Sequence, residues 1–404
     1  MNAAADIAVV GGGLTGGVLT LLLRQAGYRV AVVESRQPAA EIDERPDPRA
    51  LAVTPASRCI LEHCGVWPEL PPARIGTFHG MQVWDAGGGG EIRFVDSDVG
   101  EPALGYIIEA GVMQHAIDTV LAADRDIDWY RPAAPAALKP GADKTELVLE
   151  DGRSLPVRLV VGADGGQSRT RRLAGIHYDE TPYPQQAVAG VVTTELAHGC
   201  VARQRFLADG PLAFLPMAAD HQCGIVWSTS PAHAQQLLAM PDDDFAVALA
   251  CAFEYRLGAV TEVGRRGAFP LLKAQAAHYV RERLALVGDA AHSMHPLAGQ
   301  GANMGWLDAA CLAEILAAAA TAGRDPGSLR GLRHYERWRR SDNRIMQLAL
   351  DGLHHLFRRG ELPVRRLRSL GLTLTDHSGP LKHFLMRHAM GRAGDLPALA
   401  CREK

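Results

Sequence analysis

A glycine-rich turn between two apolar segments constrains this chain more than any other feature. The apolar run Ile7–Val10 is followed by Gly11-Gly12-Gly13-Leu14-Thr15-Gly16, and helical periodicity then continues to Gln25. Gly27 closes that helix, and a second apolar run follows at 29–34. The first forty residues therefore predict a strand, a helix and a second strand, which together form a βαβ unit.

The glycine spacing, at Gly11, Gly13 and Gly16, is the fingerprint of a dinucleotide site. The first glycine permits the tight turn, the second lets backbone amides approach a pyrophosphate, and the third lets the helix pack on the strand. Glu34 lies 23 residues after Gly11, where a carboxylate can accept hydrogen bonds from both ribose hydroxyls of an adenosine. These residues leave open whether the adenosine belongs to FAD or NAD, and whether the turn binds a ligand at all.

Composition sets the broad class of the protein. The 404 residues allow two or three domains, or one large α/β unit with an insertion. With 47% apolar residues, 22% charged residues and a net charge of -3, the chain is typical of soluble globular proteins and has no basic field for nucleic acid. The seven cysteines form no CxxC pair, which favours a reducing compartment and no zinc knuckle.

Residues 7–23 carry no charge and invite a membrane interpretation. They contain five glycines, however, and a spanning helix needs about 20 predominantly apolar residues, so we favour the βαβ unit. The first positive side chain is Arg24, so no basic region precedes the apolar run and no signal or transit peptide is expected.

Further elements follow along the chain. A helix is predicted over 49–67, with apolar positions at Ala56, Ile60 and Leu61, and an alanine-rich helix over 301–320. A polar, arginine-rich helical tail begins at Leu329. Buried-strand patterns occur at 147–150, 159–162, 187–194, 212–216, 223–228 and 284–287.

The grouping of these strands predicts the architecture. The runs 187–194, 212–216 and 223–228 have no helices between them, which indicates an antiparallel sheet inserted into the α/β domain. We therefore predict an α/β protein with a Rossmann-like domain, an inserted, mostly antiparallel β-sheet domain and a helical C-terminal tail. The boundaries are 1–75, 100–180 and 275–330 for the first, 76–99 and 181–274 for the second, and 331–404 for the third.

Two distant motifs each place a short acidic residue at a strand end. Asp164 follows one apolar strand in GADGGQSR, and Asp289 follows another in GDAAHSMHPLAGQGANMG. The second motif also opens a helix, whose N-terminal amides can hold an anion. There Asp289 can accept a ribityl hydroxyl, and Gly299 and Gly301 let backbone amides reach a flat heterocycle.

These motifs carry a family resemblance that covers essentially the whole chain. GGGLTG, RALAVTPASRCILEHCGVW, GADGGQSRTRR and GDAAHSMHPLAGQGANMG occur in the order and approximate spacing of the group A FAD-dependent aromatic hydroxylases. The chain most closely resembles the ubiquinone-biosynthesis hydroxylase branch. Within it, DGPLAFLPM, YRLGAVTEVGRRGAFPL and RRSDNRIMQLALDGLHHLF look most like the 2-polyprenyl-6-methoxyphenol hydroxylases.

The resemblance implies FAD as the cofactor and assigns residues to it. Glu34 matches the ribose contact, Arg49 the arginine that reaches the flavin side, and Asp289 the ribityl contact. Where relatives read IIEN, this chain reads IIEA at 107–110, so Gln114 is a substitute for the missing asparagine. The cofactor-binding residues that the motifs and the resemblance imply are Gly11, Gly13, Leu14, Thr15, Gly16, Glu34, Arg49, Gln114, Ala163, Asp164, Gly288, Asp289, Pro296, Gly299, Gln300, Gly301, Ala302 and Asn303.

The resemblance also implies an activity. We expect an FAD-dependent monooxygenase that hydroxylates a polyprenylated phenol, 2-polyprenyl-6-methoxyphenol, in ubiquinone biosynthesis through a flavin hydroperoxide. O₂ is a substrate, and NAD(P)H is the expected transient reductant because the chain has a single glycine fingerprint. No metal and no catalytic residue of the triad type are expected. A different aromatic substrate, a flavin-dependent reductase and a non-catalytic flavin-binding scaffold remain alternatives.

Single residues have competing interpretations. His295, Pro296, Phe214, Trp227 and Phe269 are candidates to line the substrate pocket. The three aromatic residues can equally pack in the core, where aromatic side chains on buried strands usually lie, and His295 can bind backbone in its loop.

Two further patterns suggest other chemistries. One pattern suggests a facial metal triad, made of His292, His295 and Asp289. The family resemblance instead implies that this segment is a flavin loop. Ser168 could serve as the nucleophile of a hydrolase triad, but the chain has no GxSxG nucleophile elbow to support this role.

The C-terminal segment 356–392 is basic and leucine-rich. It carries eight Lys or Arg residues against Glu361 and Asp376, which suggests a cytoplasmic protein with peripheral contact at the inner membrane surface. Packing on the FAD domain or in a subunit interface is the competing interpretation. Proteins of a ubiquinone-biosynthesis complex and a second copy of the chain are the other partners considered.

Overall fold

The structure is a computed structural model that describes residues 5–38, 42–43, 45–86, 90–98, 100–294, 299–358, 382–383, 386–387 and 390–401. The α-helices over these residues are α1 Leu14–Gln25, α2 Pro55–His63, α3 Ala110–Ala123, α4 Arg169–Leu173, α5 Pro231–Ala239, α6 Asp242–Ala252, α7 Gly301–Thr321 and α8 Leu329–Arg358. Short 3₁₀ turns lie at Trp67–Glu69, Pro72–Arg74, Asp96–Asp98, Gly288–Ala290 and Ala398–Ala400.

The strands are short except for β13 and β17, which are 17 residues each. In chain order they are β1 Ile7–Val10, β2 Val30–Val33, β3 Ala50–Val53, β4 Ile75–Phe78, β5 Gly80–Asp85, β6 Glu91–Val95, β7 Gly105–Glu109, β8 Asp128–Tyr130, β9 Pro135–Pro140, β10 Thr145–Leu149, β11 Ser154–Val157, β12 Leu159–Gly162, β13 Tyr178–Thr194, β14 Val201–Leu207, β15 Gly210–Pro216, β16 Gln222–Thr229, β17 Val260–Ala276, β18 Val280–Arg281, β19 Leu284–Leu286 and β20 His292–Ser293.

The predicted βαβ unit is confirmed at the centre of a sheet that is parallel except for its edge strand β18. Over the described residues this sheet has six strands in the order β18, β19, β12, β1, β2, β8. Ile7 lies opposite Val30 of β2 and Leu159 of β12, both in parallel register. All residues of β1, β2 and β12 are buried, as expected for parallel strands that are covered on both faces. The carboxyl ends of these strands therefore meet at one edge.

The helix predicted from Arg49 begins later in the structure. Residues Ala50–Val53 form β3 instead, which pairs antiparallel with β7. The helix begins at Pro55, after Thr54, whose hydroxyl accepts a hydrogen bond from the Ser57 amide at 3.2 Å. A capping threonine followed by proline is a strong helix start, so the local sequence separates the strand from the helix at this point.

The predicted antiparallel sheet is confirmed as an eight-stranded sheet over the described residues. Its order is β20, β17, β13, β16, β15, β14, β5, β6. The three grouped strand predictions lie in β13, β15 and β16, which pair antiparallel. Only the β14–β5 pair is parallel among the described pairings of this sheet, because β5 comes from a distant part of the chain. The domain boundaries drawn from the sequence stay a prediction.

The two faces of this sheet have different neighbours. One face packs against α5 and α6 in an apolar cluster that includes Phe214, Trp227 and Phe245. The other face meets β3 and β7, where Val191 and Met217 pack against Ile107. Successive residues of a strand point to opposite faces. A residue's position along its strand therefore decides whether its side chain packs under α5 and α6 or faces β3 and β7.

The two C-terminal helices lie against the parallel-sheet domain. α7 packs against α1, and α8 packs against α7. Among the described residues, α7 is the one helix with the length and apolar composition of a membrane span, and 67% of its apolar window is buried inside the protein. The uncharged segment 7–23 forms β1 and most of α1, and both belong to the core.

Candidate functional site

A cavity of about 900 Å³ opens where the carboxyl ends of β1, β2 and β12 meet. Ligands of open α/β sheets bind at this edge, and the volume is within the usual range of about 300–1,000 Å³ for ligand pockets. The sequence-predicted residues that line it are Gly11, Gly13, Leu14, Thr15, Glu34, Arg49, Gln114, Ala163, Asp164, Asp289, Gly299, Gly301 and Ala302. The fold thus brings three distant motifs together around one cavity.

The glycines of the first turn have two different roles. A Cβ on Gly11, whose φ is +104°, would lie 2.4 Å from the Ala163 carbonyl oxygen, and a Cβ on Gly16 would lie 1.9 Å from the Gly11 carbonyl oxygen. These two positions are fixed by packing. A Cβ on Gly13 would have no protein atom within 4 Å, although Gly13 lines the cavity at the N-terminus of α1. The space above Gly13 and the partial positive charge of the helix end fit a dinucleotide pyrophosphate.

Glu34 connects the second strand to the glycine turn. Its Oε2 accepts a hydrogen bond from the Gly12 amide at 2.7 Å, and its Oε1 accepts one from the Arg36 amide at 2.8 Å. Oε1 also accepts a hydrogen bond from the Ser35 hydroxyl at 3.2 Å, so Oε2 is the oxygen that can accept a further one. Because Glu34 lines the cavity, its remaining acceptor capacity fits the ribose hydroxyls of an adenosine.

Asp164 and Ser168 together begin α4. Asp164 Oδ2 accepts hydrogen bonds from the Thr170 amide and hydroxyl at 2.9 and 3.0 Å. Ser168 donates its hydroxyl to Asp164 Oδ1 at 2.5 Å and accepts from the Arg171 amide at 2.9 Å. Ser168 is therefore the buried N-cap of this helix, and these contacts account for its hydroxyl without a nucleophilic role.

Asp289 reaches the cavity from the turn that follows β19. Burial among the neighbouring turns raises the pKa of the Asp289 carboxyl, while the charges of His292 and Arg49 oppose the rise. The side chain is nevertheless accessible through the cavity, so solvent there limits the rise. A carboxyl at this position can accept a hydrogen bond from a polyol hydroxyl.

Arg49 lies across the cavity, at the start of β3. Its guanidinium is 5.9 Å from the centre of the Phe269 ring. The Arg49 amide donates to Asp47 Oδ1 at 2.8 Å, and the Asp47 amide donates to Glu109 Oε2 at 2.7 Å. Arg74 in turn donates two hydrogen bonds of 2.7 Å to Glu109. The segment that carries Arg49 is thus anchored to an ion pair between a buried glutamate and a partly exposed arginine.

Gln114 and Asn303 each donate a hydrogen bond to the backbone of a glycine that lines the cavity. Gln114 Nε2 donates to the Gly12 carbonyl at 3.1 Å and to Asp118 Oδ1 at 3.0 Å. Asn303 Nδ2 donates to the Ala52 carbonyl at 2.7 Å and to the Gly299 carbonyl at 3.1 Å. Gln114 therefore contributes to the lining, whereas Asn303 ties the start of α7 to β3.

The other predicted cofactor residues either do not line the cavity or lie outside the described residues. Gly16, Gly288, Gln300 and Asn303 are not among the residues that line the cavity. Gly288 has a φ of +58°, and a Cβ there would lie 3.0 Å from Thr15 Oγ1. His295 and Pro296 fall outside the described residues, so their predicted pocket roles stay predictions.

The three aromatic pocket candidates separate by sheet face. Phe214 stacks on Phe253 with ring centres 3.9 Å apart, and Trp227 contacts the edge of His233. Both are buried in the core cluster under α5 and α6, on the face turned away from β3. Phe269 is 38% exposed and lies beside Arg49. The register therefore keeps only Phe269 near the cavity among these three.

His292, one member of the suggested metal triad, is paired with Asp308. Its Nε2 lies 2.5 Å from Asp308 Oδ2, and His295 falls outside the described residues. In the part of the chain that the structure describes, there is no group of three or more His, Cys, Asp or Glu side chains arranged to hold a metal ion.

Sequence reasoning missed one end of the cavity. Trp129 and Arg131 line it beside Glu34, with the Arg131 guanidinium 4.0 Å from the Trp129 ring centre. They belong to or follow β8, which pairs with β2 across about a hundred residues of chain. An aromatic surface next to the ribose position fits an adenine ring. The short DWY strand gave no periodicity from which this pairing could be predicted.

Comparison with known proteins identifies the family. The FAD binding domain family matches residues 4–343. The 3-demethoxyubiquinol 3-hydroxylase of Escherichia coli (strain K12) is 38% identical over 394 residues, which cover 96% of this chain and 99% of the relative. The ubiquinone hydroxylase UbiL of Rhodospirillum rubrum is 38% identical and covers 96% and 90% of the two chains. The mitochondrial ubiquinone biosynthesis monooxygenase COQ6 of Homo sapiens is 33% identical, with 95% and 92% covered.

Solved structures share the fold at lower identity. The p-nitrophenol 4-monooxygenase PnpA from Pseudomonas putida DLL-E4 superposes with a TM-score of 0.78 at 18% identity, over 96% of this chain and 99% of that chain. A variant of Klebsiella pneumoniae HpxO complexed with FAD gives a TM-score of 0.75 at 19% identity, over 96% and 99%. At these identities the likeness establishes the fold.

Proposed function

Since this chain belongs to the FAD binding domain family and is an FAD-dependent monooxygenase, we propose that it hydroxylates a polyprenylated phenol of ubiquinone biosynthesis. The proposed substrate is 2-polyprenyl-6-methoxyphenol. The observation that carries the cofactor site is the convergence of three turns, at Gly13, Asp164 and Asp289, on one cavity. The relatives named above, which match nearly the full length of the chain, support the substrate class.

The residues of the cavity divide the work of holding the cofactor. The N-terminus of α1 at Gly13 stabilises the pyrophosphate anion, and Glu34 accepts hydrogen bonds from the ribose hydroxyls. Asp289 would accept hydrogen bonds from the ribityl chain, and Gly301 at the start of α7, where an added Cβ would meet no protein atom within 4 Å, would leave room for a flat ring. Bound FAD supplies the two-electron redox chemistry that activates O₂. The protein's own task is to orient the phenol and to exclude water from the reacting centre.

In this proposal the substrate meets the cofactor between the eight-stranded sheet and the strands β3 and β7. The sheet face that is turned toward β3 carries small residues, including Ala189, Ala213 and Gly224. Phe269 and Arg49 border this region. NAD(P)H is the proposed reductant, and it approaches the same cavity transiently.

A second substrate is favoured by one observation. The Escherichia coli relative, which covers 96% of this chain, is named for 3-demethoxyubiquinol. The same cofactor site serves either substrate.

The test is product formation with both candidates. We expect the purified chain, supplied with FAD and NADPH, to add one oxygen atom to a short-chain 2-polyprenyl-6-methoxyphenol, as measured by mass spectrometry. Deletion of the chain should lead to accumulation of the same phenol among the quinone intermediates of the cell. Exclusive turnover of the 3-demethoxyubiquinol analogue would establish the second substrate. Absence of turnover with either by FAD-loaded protein would refute the proposed substrate class.

We further propose that the protein is cytoplasmic and contacts the inner membrane surface through its basic C-terminal segment. Most of 356–392 falls outside the described residues. In its described part, Lys382 pairs with Asp98 at 3.1 Å and Arg392 with Glu101 at 3.1 Å. Those two charges are neutralised by the body of the protein. The proposal therefore rests on the arginines at 358–368, near a lipid surface in which a polyprenyl substrate dissolves.

A further inference from the structure

The inward face of α8 begins with the core residues Leu332 and Tyr335 and is polar from Arg339 onward. Arg339, Asn343, Gln347 and Asp351 follow one another at one-turn spacing, and each is at most 9% exposed. Outward-facing Ile345 and Leu348 are more than 60% exposed. Helices on a protein surface normally bury their apolar stripe, and a buried polar stripe is stable only when its groups find partners. The partners of this stripe are therefore informative.

The first partner is Asp308 of α7, which is fully buried. Arg339 Nε donates to Asp308 Oδ1 at 2.8 Å, and Asn343 Nδ2 donates to the same oxygen at 3.3 Å. Arg339 also donates to Asn343 Oδ1 at 3.0 Å. One oxygen of Asp308 is thus held by two residues of α8.

The other oxygen of Asp308 holds the turn that follows β19. Asp308 Oδ2 accepts a hydrogen bond from the Gly288 amide at 3.1 Å and lies 2.5 Å from His292 Nε2. Both contacts fall on the short segment 288–293. Asp308 therefore transmits the position of α8 to this turn, because a carboxylate with two partners on each side has little freedom to move.

α8 also contacts the strands and the turn directly. Tyr335 donates its hydroxyl to the Leu286 carbonyl at 2.8 Å, just before the turn. Gln347 Nε2 donates to the Ser293 carbonyl at 2.9 Å, at the end of the turn, and to the Ala274 carbonyl at 3.0 Å. The helix thus holds the beginning of the turn through Tyr335 and Asp308, and the end of the turn through Gln347.

Asp289 lies between these attachments and lines the cavity. We propose that α8 is the element that positions the cofactor turn, with Asp308 and Gln347 as positioning residues that act through Asp289. This inference rests on the proposed function, since it takes the ligand of Asp289 to be the cofactor. It assigns a role in cofactor affinity to a helix that does not itself line the cavity.

The test is a double-mutant cycle read out by FAD affinity. FAD is titrated into the flavin-free full-length protein and its fluorescence is followed for the wild type, Gln347→Met, Asp289→Asn and the double variant. Gln347→Met keeps the side-chain length but removes two donated hydrogen bonds, so we expect affinity to fall about tenfold. In the Asp289→Asn background the same change should cost less than about twofold, because coupled residues are not additive.

Arg344→Met is the matched control, since Arg344 lies on the exposed face of the same helix. Its FAD affinity should equal that of the wild type. Tyr335→Phe provides a second variant that keeps the ring and removes one hydroxyl, so it tests the support of the turn by α8 at its other end if Gln347→Met does not fold. Its expected loss is about threefold, again reduced in the Asp289→Asn background.

Two results would overturn the inference. Equal losses of affinity in both backgrounds would show that α8 stabilises the fold without acting through Asp289. Unchanged affinity in Gln347→Met and Tyr335→Phe, with tight binding by the wild type, would show that the turn needs no support from α8. Failure of the wild type to bind FAD would instead refute the proposed function, so the two failures are distinguishable.

Discussion

The Glu34 carboxylate accepts a 2.7 Å hydrogen bond from the Gly12 amide, which joins the end of β2 to the turn after β1. A second contact, from the Arg36 amide at 2.8 Å, fixes the other oxygen. The side chain is therefore held in place before a ligand arrives. Preorganisation of this kind reduces the entropy that binding costs.

Replacement of Glu34 by alanine should weaken FAD binding. A hydrogen bond to a charged group contributes about 1.5–3 kcal/mol, so we expect a 10- to 100-fold rise in Kd. Isothermal titration of FAD into flavin-free Glu34→Ala measures it. Glu69→Ala, at an exposed glutamate outside the cavity, is the control and should bind as the wild type does. Equal affinity in Glu34→Ala would contradict the assigned ribose contact.

Arg49→Ala should weaken FAD binding or uncouple oxygen use from hydroxylation. The Arg49 guanidinium lies beside Phe269, and Arg49 lines the cavity. Its replacement removes a positive charge from the part of the cavity where the resemblance places the flavin. We expect about a tenfold loss of affinity, or hydrogen peroxide in excess of hydroxylated product. Both are measured in one assay of NADPH, O₂ and product. Arg45→Ala, at a nearby exposed arginine, should leave both unchanged, and tight binding with full coupling in Arg49→Ala would discard the role.

Stability should fall in acid as Asp308 is protonated. Burial alone would raise the pKa of this carboxyl, but His292 and Arg339 lower it to about 2. A carboxyl whose pKa is lower in the folded state stabilises the protein above its unfolded pKa and loses that contribution as pH falls toward the folded pKa. At about 1.4 kcal/mol per pKa unit, we expect about 2 kcal/mol to be lost between about pH 4 and pH 2.

Urea unfolding of the flavin-free protein across this pH range measures the effect. Asp308→Asn should be less stable at neutral pH, because Arg339 is left buried without its anion. Its stability should nevertheless depend less on pH below about pH 4 than that of the wild type. Parallel pH dependence in the two proteins would show that another group is responsible.

The basic C-terminal segment should bind anionic vesicles. Each arginine near an anionic leaflet contributes on the order of 1 kcal/mol, so charge reversal at Arg365, Arg366 and Arg368 should release the protein in a co-sedimentation assay. Reversal of Arg125, Arg172 and Arg333, three exposed arginines elsewhere, is the control for net charge. Binding that is insensitive to anionic lipid or to the first set of changes would favour packing of this segment within the protein or a subunit interface.

Local signals and long-range pairing explain what could be predicted from the sequence. The βαβ unit was predictable because the glycine turn and the continuous apolar run of Ile7–Val10 are both local. β3 was missed because four residues from Ala50 to Val53 fit a strand and a helix equally well until β7 pairs with them. The orientation of Phe214 and the contribution of Trp129 depend on register with distant strands, which no local pattern contains.

Replacement of Gly13 by valine tests the central claim most directly. A Cβ added at Gly13 meets no protein atom within 4 Å and the residue does not have a positive φ, so the variant should fold and only the pyrophosphate site should be filled. Gly331→Val, at a second glycine where an added Cβ meets no neighbour, is the matched control. We predict that Gly13→Val purifies folded but without flavin absorbance, while Gly331→Val keeps it. Stoichiometric flavin absorbance in Gly13→Val would contradict the assignment of this turn as the FAD site.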